Sequence, residues 1–253
     1  MGELLFSCIG LGEDVKVLTE LAQRALREGS PLACDQGFYV RWPMGGSTEL
    51  WVSLAGSGAS AQFVDVNPHV EAAVGMRVQI TACLPAETKK GMGGLVVGWA
   101  DPQPGGPNRG AYPFVFDAPD FGLLKLEPDQ TVEVGLAGFA RSVEVYADDG
   151  ESGLPMGALK MAPESFLPSG LFVADGRPTP RAEARLSGHV LAVELRRNDI
   201  TGLDFWWARV RTLGGEVELV ADPSTVKGTA EVGSIVGGDV WLSGRVHAEL
   251  AAE

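Results

Sequence analysis

His69 and Glu71 stand two residues apart, so on a strand both side chains leave the same face, and Glu49 or Asp65 could complete a nitrogen–oxygen set of the kind that ligates a transition metal. The set this spacing favours is Glu49, His69 and Glu71. Against it, the chain has only three histidines, His69, His189 and His247, and His69 follows Pro68, a common setting for a turn histidine. Glu49, Asp65, Asp117 and Asp120 could also supply a carboxylate pair for general acid–base work. Spacing alone brings no two of them together, and such residues more often cap turns or face solvent.

A second constellation lies near the C-terminus. Alternation along Phe205–Leu213 puts Phe205, Trp207, Arg209 and Arg211 on one face and Trp206, Ala208, Val210 and Thr212 on the other. Rings beside guanidinium groups could stack bases and pair phosphates of single-stranded nucleic acid. The plainer reading is neutralisation across the sheet: a two-residue turn at Gly214-Gly215 would set Arg211 opposite Glu218, with Glu216 and Glu194 nearby. Trp206 and Trp241 read as core anchors.

Two further motifs are incomplete. Gly10-Leu11-Gly12-Glu13-Asp14-Val15 lacks the third glycine of a dinucleotide fingerprint and sets two carboxylates where a pyrophosphate would sit. Ser224-Thr225-Val226-Lys227 has the S-x-x-K spacing of penicillin-recognising enzymes without their S-D-N and K-T-G partners. No G-x-S-x-G occurs, and no residue is assigned a catalytic role.

The elements that must position these residues are mostly strands. Thirty-four Gly and sixteen Pro act as turn signals between short runs rich in Val, Leu, Phe and Trp. Strands are expected at Leu4–Ile9, Phe38–Trp42, Glu49–Leu54, Gln62–Val66, Arg77–Cys83, Leu95–Trp99, Phe114–Phe116, Thr131–Leu136 and Ser142–Tyr146. One segment has a helical period: Val15, Leu18, Leu21, Ala22, Ala25 and Leu26, with Asp14 as N-cap and Gly29 as the residue past the C-terminus. Residues 101–113 read as a loop. The first 75 residues, read as β-α-β-β-β, resemble a module of the glyoxalase, or vicinal-oxygen-chelate, proteins, whose resemblance implies a metal-dependent enzyme. Strands at Gly188–Arg197, then, after the turn at Asn198–Gly202, at Phe205–Leu213, Glu216–Ala221, Ser234–Val236 and Asp239–His247 resemble the five-stranded OB-fold in order. The expected fold is therefore mainly β with α+β character: an α+β, strand-rich region over 1–162 carrying one amphipathic helix, a Pro-rich linker over 163–181, and an OB-like β-barrel over 182–250.

Composition narrows the partners. The chain has 253 residues and a net charge of −13, of which −10 falls within residues 1–180 and −3 beyond, which disfavours nucleic acid. Cys8, Cys34 and Cys83 are odd in number and form no C-x-x-C, and no apolar run spans a bilayer. The expectation is a cytoplasmic, non-catalytic binding protein that contacts a protein partner or self-associates, with no cofactor and no membrane. The glyoxalase-like enzyme and an OB-like single-strand binder are the alternatives.

Overall fold

The computed structural model describes residues 3–146, 155–156, 159–171 and 180–249. It is mainly β. Two helices, α1 (Glu3–Ser7) and α2 (Val15–Glu28), precede a four-stranded antiparallel meander of β1 (Ser30–Cys34), β2 (Gly37–Pro43), β3 (Thr48–Ala55) and β4 (Gln62–Val70). A large sheet follows, built from β5 (Gly75–Pro85), β6 (Gly94–Ala100), β7 (Tyr112–Asp117), β8 (Thr131–Ala140) and β9 (Val143–Tyr146). A two-residue pair, β10 (Pro155–Met156) and β11 (Leu159–Lys160), stands apart. The large sheet is completed by β12 (Ser165–Leu167), β13 (Glu183–Arg197), β14 (Asp204–Thr212), β15 (Gly215–Ala221), β16 (Val226–Lys227) and β17 (Ile235–Glu249). The Asp175–Pro178 part of the expected linker lies outside the described residues.

Helix α2 forms where the period of 3.6 places it, and Asp14 caps it by accepting from the Lys16 N–H at 2.8 Å. Leu21, Ala22 and Ala25 are buried, whereas Val15 and Leu26 are exposed, so the apolar stripe is narrower than its sequence suggests. Gly29 does not adopt the left-handed conformation expected of it. Its backbone is extended, and a Cβ there would meet Val40 Cγ1 at 2.5 Å, so close approach to β2 is what demands glycine.

Leu4–Ile9 is not a strand. Its first residues form α1, and Phe6 and Ile9, three apart, both turn into the core. A six-residue apolar run carries too little periodicity to separate the two states. Strand β1 pairs with β2 from Ser30↔Arg41 to Cys34↔Gly37, although Ser30-Pro31 reads as a helix stop. Pro31 is tolerated because β1 is the edge of the small sheet.

Strands β8 and β17 run antiparallel through the centre of the large sheet. Beside β8 lie β5, at Val132↔Val78, and β15, at Gly138↔Leu219. Beside β17 lie β13, at Trp241↔Glu183, and β7, at Ser243↔Asp117. Strands from both sides of residues 163–181 thus share one hydrogen-bonded sheet. The expected strands 234–236 and 239–247 are one strand, so this segment contributes four long strands rather than five. Gly237-Gly238 is no turn: a Cβ on Gly237 would lie 2.5 Å from Leu186 O, and one on Gly238 would lie 2.2 Å from Ser142 O. Both glycines admit neighbouring backbones on opposite edges. The β14–β15 turn is also displaced, since Thr212 pairs with Gly215 and Arg209, not Arg211, faces Glu218. A shift of two residues keeps each side chain on its face and changes only its opposite number.

Two cores result. Val78, Phe114, Leu136, Val210 and Leu242 belong to one on the inner side of the large sheet. Ile9, Ala25, Val52, Phe139, Phe205 and Trp207 form the other, between the small sheet with its helices and the outer side of β8, β14 and β15. Strand β14 divides them, which is why both of its faces are apolar. Asn198 ties the layers: fully buried, it donates to Ile9 O at 3.0 Å and accepts from the Ile200 N–H at 3.0 Å. Among the described residues no helix is long and apolar enough to cross a membrane.

Candidate functional site

The polar residues of interest gather along a seam where β4 of the small sheet meets β7 and β17 of the large one. Alternation along β17 turns Val240 and Leu242 into the inner core and leaves Trp241, Ser243 and Arg245 facing the seam. Each meets a different residue: Trp241 lines one cavity with Asp117, Ser243 Oγ lies 2.8 Å from His69 Nδ1, and Arg245 donates to Asp120 Oδ2 at 3.0 Å.

At one end sits an arginine–carboxylate network. Arg41 donates to Glu49 Oε1 through Nε at 2.7 Å and to Glu71 Oε2 through Nη2 at 2.5 Å. Glu49 is buried and also accepts from the Trp51 indole at 2.8 Å. Burial raises its pKa, and Arg41, Trp51 and Arg245 oppose the rise. Arg245 packs 4.8 Å from the Trp51 ring centroid and lies 3.8 Å from Glu71. This end opens to solvent in a shallow cleft of about 620 Å³ that includes Arg41, Glu71, Arg245 and His247.

The structure therefore brings Glu49, His69 and Glu71 into one neighbourhood, with Glu49 directly opposite His69 on adjacent strands. It fills that neighbourhood with Arg41 and Arg245. Two guanidinium groups already take up the carboxylates, and burial, together with both arginines and His247, drives the His69 pKa well below the ordinary histidine value. Among the described residues no group of three or more His, Cys, Asp or Glu is arranged to hold a metal ion.

At the other end the seam widens into a cavity of about 220 Å³ between α1, β4, β7 and β17. Leu5, Phe6, Val66, Pro68 and Trp241 supply its apolar wall, and Asp65, Asn67, Lys89, Asp117 and Arg141 its polar atoms. Lys89 Nζ lies 2.5 Å from Asp65 Oδ2. Burial pushes the Asp117 carboxyl up to about 6; Lys89 opposes the rise, Asp65 adds to it, and the Trp241 indole opposes it. Lys89 itself is held above the usual lysine value, because Asp117 and Asp65 outweigh the burial that works against its charge. The four carboxylates singled out by residue type thus converge in two groups, Asp65 with Asp117 around Lys89 and Glu49 with Asp120 around Arg245.

The Phe205, Trp207, Arg209, Arg211 face is divided. Phe205 and Trp207 are buried in the outer core; the Trp207 indole donates to Glu218 Oε2 at 2.7 Å, and the Arg196 guanidinium lies 3.4 Å from its ring centroid. Arg209 lies 3.3 Å from Glu216, and Arg211 donates to Glu164 at 2.7 Å. Ser224 donates to Asp222 at 2.6 Å and Lys227 lies 3.6 Å from Glu144, so the S-x-x-K residues have separate partners. Lys89 and Arg245 were not anticipated. The β17 alternation could have marked Arg245, while Lys89 sits in a polar turn that carries no signal. No protein-family model, curated protein or solved structure matches the chain.

Proposed function

We propose that this chain is a non-catalytic binding protein whose binding site is the cavity between α1, β4, β7 and β17. The observation that carries this reading is the joining of an apolar wall to a few converging polar groups, the usual composition of a small-molecule site. The state of His69 and Cys8 supports binding over catalysis. His69 is held neutral in the interior, and burial pushes the Cys8 thiol up to about 12, so neither is poised as a base or nucleophile near neutral pH. A glyoxalase-like metal enzyme draws no support from a Glu49–His69–Glu71 neighbourhood already occupied by arginines. The ladder circuit β13–β14–β15–β8–β17 supports an OB-like barrel in which β8 supplies the fifth wall, and three cysteines that form no disulfide support a cytoplasmic setting.

Protein contact is the second reading, favoured by Leu195, which is 65% exposed on a strand of the large sheet. The two separate experimentally. A panel of neutral and charged aromatic fragments, followed by amide and indole NMR shifts, should perturb Asn67, Asp117 and the Trp241 indole. Uniform silence there, together with a dimer in light scattering that Leu195→Glu dissociates, would replace the first reading with the second.

A further inference from the structure

We propose that the cavity takes a small organic cation, an amine whose ammonium docks on Asp117 while its apolar body lies against Phe6, Val66, Pro68 and Trp241. This rests on the reading of the cavity as the binding site and names its ligand class.

Charge accounting at the polar end points to a cation. Lys89 Nζ lies 2.5 Å from Asp65 Oδ2 and is also stabilised by Asp117, so one ammonium serves two carboxylates. Arg141 stands at the rim, 52% exposed by its side chain and 3.9 Å from Glu183. Among the described residues Asp117 has no ion pair of its own, whereas Asp65 has Lys89, and Asp117 only shares the charge of that one ammonium. A carboxylate ligand would have to pull Lys89 away from Asp65 and would then lie beside Asp117. An ammonium meets the opposite situation, because it supplies the missing countercharge in a part-buried site where charge-assisted hydrogen bonds are strongest. The wall suits the same ligand. The Trp241 ring borders the cavity next to Asp117, and an indole face attracts a cation. At about 220 Å³ the space falls below the ~300 Å³ at which drug-sized pockets begin, so the occupant is a small molecule.

Size and charge together fix the test. Benzylamine, benzyl alcohol and benzoate share one ring and differ in charge, and their binding to the full chain can be followed by calorimetry and by the Trp241 indole resonance. Benzylamine is expected to bind at pH 7.5 at least about tenfold more tightly than benzyl alcohol, with benzoate weakest. Its affinity should fall about tenfold between pH 7.5 and 5 as Asp117 takes up a proton, with Asp65, Lys89 and Arg141 the other charged groups facing the site. Asp117→Asn should abolish both the amine preference and the pH dependence, and the wild-type pH profile is an independent measurement should that variant fold poorly. If the alcohol or benzoate binds as well as the amine, the cation assignment is wrong while the cavity reading stands. If none of the three shifts the Trp241 resonance at millimolar concentration, both fall.

Discussion

Because burial lifts the Asp117 carboxyl to about 6, the folded chain holds that proton more tightly than an unfolded chain, where an aspartate titrates near 3.8. The stability it contributes is complete below pH 3.8 and is lost as pH rises through 6. His69 works the other way: its depressed pKa stabilises the fold above pH 6.5, and that contribution is lost as pH falls through its lowered value. Melting temperature measured from pH 4 to 8 should therefore decline less steeply between about pH 4 and 6 in Asp117→Asn than in wild type. An unchanged slope would show that Asp117 is not the buried acid described. Glu218 allows a test of a different kind. It is buried and accepts from both the Trp207 indole, at 2.7 Å, and the Ala73 N–H, at 2.8 Å. Glu218→Ala strands the buried Trp207 indole N–H and leaves the Ala73 N–H, on an exposed residue, to water, and should cost about 1–3 kcal/mol in urea denaturation. A loss below ~0.5 kcal/mol would mean that water reaches the indole as well.

At the level of elements, β17 organises the molecule, since its inner face completes one core and its outer face lines the seam. Gly237 lets β13 and β9 approach it from both sides. Gly237→Ala would force a methyl to within 2.5 Å of Leu186 O and should destabilise the chain by about 1–3 kcal/mol or more, with a lower urea midpoint. Elements with a strong period were legible: α2 and the strands from β2 to β9 lie where apolar spacing puts them. What failed has local causes. Six apolar residues at Leu4–Ile9 are too few to show a period, and glycine at 237–238 signals a turn when its role is close approach. The 213–215 turn allowed two registers that leave the faces unchanged.

For the whole molecule, the ladders join β5–β8 to β12–β17, and the inner core takes side chains from Met76 to Leu242. Scanning calorimetry should accordingly show a single cooperative transition, whereas two resolved transitions would support a boundary near residues 163–181. The candidate site shows most clearly where sequence stops. Residue types identified Glu49, His69, Asp65, Asp117 and Asp120 as groups capable of chemistry, and alternation identified Phe205 and Trp207 as sharing a face. Which partners they meet depends on residues distant in the chain: Arg41 and Arg245 reach the first group, Lys89 and Trp241 the second, and the small sheet covers the ring face. By itself the sequence determined a mainly β chain, one capped helix and the inward or outward sense of most strand positions, because these follow from local periodicity. The tertiary structure alone decided which charges neutralise each other and which carboxylate is left facing a cavity. Burial and Coulomb energy depend on distances across the seam, and no spacing along the chain encodes them.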